Sequence, residues 1–195
     1  LTFPETKLLT KMLVGTDEFS LQDMVRAYSA FPNGGHTSGS MYVIERIVDS
    51  TDSVRFEARK KSQPQPIVDE QTSFVMHSML QSSLKNNTNP DGKSESSGLS
   101  NDPSLAGKTG TTYDFADNWF VGYNSQVTCA VWAGFLHGRR DPIYPGAFSR
   151  KTVFPVWVDS MNSSAAAGFT GHQLTAPKGL VTLEICKSSG LRKTR

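Results

Sequence analysis

The segment Gly107-Lys108-Thr109-Gly110-Thr111-Thr112 carries the residue types best suited to chemistry in this sequence. A lone ammonium sits among hydroxyls and glycines, and the β-branched threonines favour a strand. Side chains alternate faces along a strand, so Thr109 and Thr111 share one face while Lys108 shares the other with Gly110. Glycines at 107 and 110 let another backbone or a ligand come close. A strand edge with free N–H groups, adjacent hydroxyls and a cation suits a peptide that ends in a carboxylate. The same residues also fit an ordinary threonine-rich strand with a solvated lysine, and the segment alone leaves both readings open.

Other patterns are weaker. Gly107-Lys108-Thr109 matches the end of a phosphate-binding P-loop, but that pattern needs glycine where Asp102 stands and a helix directly after the threonine. Gly110 and two β-branched residues follow instead, which argues against nucleotide binding. Ser82-Ser83-Leu84-Lys85 has the S-x-x-K spacing of a serine nucleophile and its base, and Ser160-Met161-Asn162 has the S-x-N spacing. The first lies at a helix end in a serine-rich stretch and the second follows the Lys-Thr-Gly triad, so chance is the better account of both. Asp114 and Asp117 read as turn residues rather than a catalytic pair. His36, His77, His137 and His172 show no metal-ligand spacing. Cys129 and Cys186 are too few for a disulfide framework, and they leave both the redox compartment and their own pairing open.

The elements that must position the triad can be read from periodicity. Ser20 caps a first helix with an apolar stripe of Leu21, Met24, Val25 and Tyr28, stopped by Asn33-Gly34-Gly35. Met41 to Asp49 and Val54 to Ala58 read as a hairpin. Asp69 caps a second helix that ends by Asn86-Asn87. The polar stretch Thr88 to Pro103 predicts a mobile loop, or one ordered only by its neighbours. Strands follow over 104–112, 118–123 and 127–135, with a tight turn near Asn124-Ser125. A last helix spans Lys151 to Ser163, and Gly179 to Ile185 is a further strand candidate. The result is an α+β fold with an antiparallel sheet. The 195 residues carry a net charge of +2 and 37% hydrophobic residues, which gives no sign of nucleic-acid binding. No apolar run approaches the length of a membrane span.

In order along the chain, Ala27-Tyr28-Ser29-Ala30-Phe31-Pro32-Asn33-Gly34-Gly35, Phe74-Val75-Met76, the triad segment, Asp117-Asn118-Trp119-Phe120-Val121-Gly122-Tyr123 and Ala130-Val131-Trp132-Ala133-Gly134 resemble the transpeptidase domain of class A penicillin-binding proteins. The resemblance implies a β-lactamase/transpeptidase-like fold, its antiparallel sheet packed by helices and incomplete within this chain, with residues 1–195 as the C-terminal part of the domain. It implies a serine acyltransferase that cross-links peptidoglycan from D-Ala-D-Ala stem peptides and is trapped by β-lactams, without cofactor or metal. Carried over residue by residue, Lys108 is the catalytic residue present. Thr109, Gly110, Thr111 and Thr112 bind substrate, with the Thr111 N–H as one oxyanion donor. Trp119 reads as strand packing.

The nucleophile and the S-x-N motif are expected upstream of Leu1, so the remainder of the domain is the expected partner and this chain alone is expected to be inactive. The implied location is extracytoplasmic, in the periplasm or at the outer face of the inner membrane, with membrane contact only through an N-terminal anchor. A non-catalytic binding module of the same fold, or a β-lactamase or D,D-carboxypeptidase relative, are the alternatives.

Overall fold

The computed structural model describes residues 18–39, 41–58, 64–86, 98–135, 141–186 and 188–192. Helix α1 spans Leu21–Ser29, and the Ser20 hydroxyl accepts the Asp23 N–H at 3.1 Å, satisfying one of the free donors of its first turn. Its exit turns on Gly34 and Gly35, with φ of 60° and 88°. Strands β1 (Arg46–Val48) and β2 (Val54–Glu57) form a two-stranded hairpin. The Asp49 carboxylate ties its turn by accepting the N–H groups of Thr51 and Ser53. These strands are shorter than the sequence suggests, because both faces lie in solvent and little packing extends the ladder.

Helix α2 covers Glu70–Asn86, capped by Asp69, whose carboxylate accepts the Thr72 N–H at 2.7 Å. Three antiparallel strands follow: β3 (Ala106–Thr111), β4 (Asp117–Tyr123) and β5 (Thr128–Gly134), in the order β3-β4-β5. The β4–β5 turn closes on Asn124, whose side-chain oxygen accepts the N–H groups of Gln126 and Val127. The last predicted helix divides into α3 (Ser149–Thr152) and α4 (Phe154–Ala166). Pro155 lies in the first turn of α4, where its missing N–H costs nothing, so a new helix starts there.

Helices cover both faces of the sheet, giving an α+β fold. Cross-strand partners project to the same side, so Gly107, Thr109 and Thr111 share a face with Asn118, Phe120 and Gly122. Against that face α4 buries Phe154, Trp157 and Met161, with Phe120 and Trp157 ring centroids 4.6 Å apart. Burying one such side chain contributes roughly 1.5–3 kcal/mol. On the opposite face Ala106 and Tyr123 meet Leu80 of α2, and Tyr28, Phe31 and Met76 close around them.

One region corrects the sequence reading, and a second follows the ordered one of its two alternatives. Residues 179–185 form no strand; Ile185 makes only an isolated bridge to Arg192, with Val181, Leu183 and Ile185 exposed. Of the predicted loop, residues 88–97 lie outside the described residues. Residues 98–103 are held by neighbours: Asn162 bonds Gly98 and Ser100, and the Asp102 carboxylate accepts from Ser104, Asn124 and Gly171. Burial would raise the Asp102 pKa, but those donors hold it below the usual value.

Candidate active site

The candidate site is built on the outer edge of β3. Among the described residues β3 pairs with β4 alone, so its other edge is unpaired. The Thr112 N–H donates to the Asp117 carbonyl, and antiparallel bonding alternates along the strand. Lys108 and Gly110 therefore direct their backbone groups toward β4, whereas Thr109 and Thr111 direct theirs to the open edge. Two amides and two carbonyls stand there at the spacing an extended peptide needs.

Lys108 and Gly110 lie on the face that carries Ala106, and Thr109 and Thr111 on the face that carries Phe120. The Lys108 side chain is exposed and bends around the edge, donating to the Thr109 carbonyl at 3.2 Å and to its hydroxyl at 3.4 Å. Ammonium and Thr109 hydroxyl are thus side by side. The Thr112 hydroxyl accepts the Asp117 N–H at 3.0 Å and closes the β3–β4 turn.

Thr111 behaves differently from Thr109. Its hydroxyl accepts the Ser149 N–H at 3.0 Å and lies 2.6 Å from the Ser149 hydroxyl, so it turns to α3 rather than to the open edge. Gly107 also departs from the reading of a ligand approach. It is buried, and a Cβ there would fall 2.8 Å from the Phe120 ring, so its missing side chain serves core packing.

The weaker motifs find structural roles. Ser82 is exposed near the end of α2. Asn162 binds the 98–100 segment, as above. Asp114 accepts the Ala116 N–H, and Asp117 accepts the Trp132 indole N–H at 2.8 Å. Trp119 is half-buried beside Trp132, with ring centroids 6.3 Å apart. Cys129 is half-buried, its thiol pushed up by burial; Cys186 is exposed, and hydrogen bonds from Ser188 and Ser189 pull its thiol to about 6. His137 lies outside the described residues.

Sequence reasoning missed Ser149 and Asn118, both fully buried. Asn118 left a faint signal, a polar residue at an inward position of an otherwise apolar strand. Ser149 left none.

Residues 7–154 match the penicillin binding protein transpeptidase domain. The chain belongs to this family. Penicillin-binding protein 1A of Neisseria lactamica is 32% identical, aligned over 91% of this chain and 21% of its own length. Penicillin-binding protein 1A of Pseudomonas aeruginosa is 29% identical, over 92% of this chain and 26% of that protein. A crystal structure of penicillin-binding protein 1A from Haemophilus influenzae superposes with a TM-score of 0.75 at 21% identity, covering 91% of this chain and 31% of that one. The fold is therefore that of a transpeptidase domain. The chain spans about a fifth to a quarter of the curated relatives named here. Among its described residues no helix is long and apolar enough to cross a membrane.

Proposed function

We propose that this chain is the C-terminal part of a serine D,D-transpeptidase domain and supplies the β3 wall of its acyl-transfer site. The reading is carried by one observation: within a chain of this family, the open edge of β3 carries the Thr109 and Thr111 backbone groups, and the Lys108 ammonium lies against the Thr109 carbonyl and hydroxyl. A stem peptide ending in D-Ala-D-Ala lies along that edge. Lys108 attracts its terminal carboxylate and the Thr109 hydroxyl donates to it. Gly110, without a side chain, lets the peptide approach. Thr112 holds the end of the strand in place through Asp117.

A serine from residues upstream of Leu1 attacks the carbonyl of the penultimate D-Ala. The new Oγ–C bond forms as electrons move onto the carbonyl oxygen, which the Thr111 N–H receives. Collapse breaks the C–N bond, the leaving D-Ala takes the serine's proton, and the acyl group passes to an amine of a second stem peptide. β-Lactams present the same carbonyl and carboxylate and stay attached. The reaction belongs outside the cytoplasmic membrane, where peptidoglycan lies, and needs no cofactor.

The test is intact-mass analysis after incubation with a labelled penicillin. The full-length protein that carries this chain should gain one equivalent, mapping upstream of Leu1, and the 195-residue chain should gain none. An adduct on the isolated chain would place the nucleophile within it and overturn the division of labour. Absence of any adduct on the full-length protein would remove the acyl-transfer reading and favour a binding module.

A further inference from the structure

We propose that Ser149 is a positioning residue for the oxyanion donor: it clamps the Gly110–Thr111 peptide so that the Thr111 N–H points to the open edge of β3. The inference rests on the acyl-transfer reading above.

The Gly110 carbonyl and the Thr111 N–H belong to one planar peptide unit and point in opposite directions. Whatever fixes the carbonyl therefore fixes the N–H. The Ser149 hydroxyl donates to that carbonyl. Ser149 grips the next residue as well, since its backbone N–H donates to Thr111 Oγ1 at 3.0 Å and the two hydroxyl oxygens are 2.6 Å apart. Ser149 Oγ also lies 3.4 Å from Asn118 Oδ1, and its single proton goes to the closer acceptor, the Gly110 carbonyl; Thr111 Oγ1–H then donates to Ser149 Oγ, and Ser149 N–H to Thr111 Oγ1. Each hydroxyl then donates once and accepts once, and no proton of Thr111 Oγ1 remains for a ligand.

Gly110 brings the backbone freedom of glycine to an edge strand that, among the described residues, only β4 restrains through the Gly110–Trp119 pair, and Ser149 adds a second hold on the same peptide. The clamp itself is rigid. Ser149 is fully buried, and fully buried Asn118 holds the α3 end by donating to the Ala147 carbonyl at 2.7 Å and the Thr152 hydroxyl at 2.9 Å. A hydrogen bond accepted by the Gly110 carbonyl also polarises the peptide, making the Thr111 N–H a better donor as negative charge builds on the substrate oxygen.

Removing an oxyanion donor lowers turnover by about 10²–10³, so letting one swing should cost a smaller but measurable share. In the full-length protein, Ser149→Ala should lower the rate constant of acylation by a labelled penicillin at least about tenfold. The dissociation constant of the non-covalent complex should stay within about twofold, because the carboxylate contacts of Lys108 and Thr109 are untouched. Ser149→Cys, of similar size but a weak donor, carries the same expectation if the alanine variant does not fold. Ser149→Thr, which keeps the hydroxyl, should recover most of the rate.

An unchanged acylation rate in both the alanine and cysteine variants overturns the clamp, as does a loss confined to binding. Failure of the wild-type protein to acylate overturns the acyl-transfer reading itself. Normal Ser149→Ala acylation alongside impaired Thr109→Val acylation overturns the clamp alone.

Discussion

Gly122 lies directly against the Trp157 ring: a Cβ on Gly122 would fall 2.5 Å from Cζ2, and 2.8 Å from the Ala106 carbonyl oxygen. This contact lets α4 sit close on β4 and carries α3, and with it Ser149, up to the end of β3. Gly122→Ala should destabilise the fold by about 1–3 kcal/mol or more through overpacking, because a fully buried indole and a backbone carbonyl cannot both yield. Chemical denaturation measures it. An unchanged midpoint would mean that the Trp157 ring has room to move.

The two threonines that face α3 and α4 should separate on substitution. Thr111→Val removes the acceptor for the buried Ser149 N–H and should cost about 1–3 kcal/mol. Thr109→Val loses only a 3.4 Å contact with the exposed Lys108 and should change stability by less than about 0.5 kcal/mol. Melting curves of the pair decide, and equal stability of both variants would contradict the packing of Thr111 on Ser149.

His77 gives the fold a pH dependence. Its ring is buried, with Nδ1 3.2 Å from the Tyr123 hydroxyl; burial, and then the positive charge of Lys85, hold its pKa below 6.5. The unfolded chain therefore binds the proton more readily than the folded one. Stability is fully present above pH 6.5 and declines as pH falls through that value toward the folded pKa. The melting temperature should drop between pH 7.5 and 5.5, above the range where carboxylates titrate. His77→Gln, which keeps a polar partner for Tyr123 but takes no charge, should flatten that drop. A drop of the same size in the variant would assign the effect to other groups.

Much of the frame was legible because local chemistry dictated it. Ser20 and Asp69 cap the helices they were expected to cap, and Asn124 closes the β4–β5 turn with its own side chain. The triad strand and its partners fall within two residues of their expected ends, since β-branched and aromatic alternation is a local property. Non-local events were hidden. The break before Phe154 and the buried role of Ser149 depend on where α3 meets β3, with Thr111 and Ser149 separated by 38 positions in sequence. The 179–185 segment has a strand's composition, but among the described residues no strand lies beside it to complete the ladder. Gly107 carried an ambiguous signal, because close approach by a ligand and close approach by Phe120 ask the same thing of the sequence.

In the proposed function the open edge of β3, with Lys108 and Thr109, holds the carboxylate of an acyl donor. The most direct measurement is the second-order rate of acylation of the full-length protein by a labelled penicillin, with melting temperatures taken in parallel. Thr109→Val should lower that rate roughly ten- to a hundredfold, as expected for one charge-assisted hydrogen bond of about 1.5–3 kcal/mol, with melting unchanged. Lys108→Ala should lower it further, because it removes a charge and not one hydrogen bond alone. Wild-type rates in both variants, with both proteins folded, would contradict the account and leave β3 a structural strand.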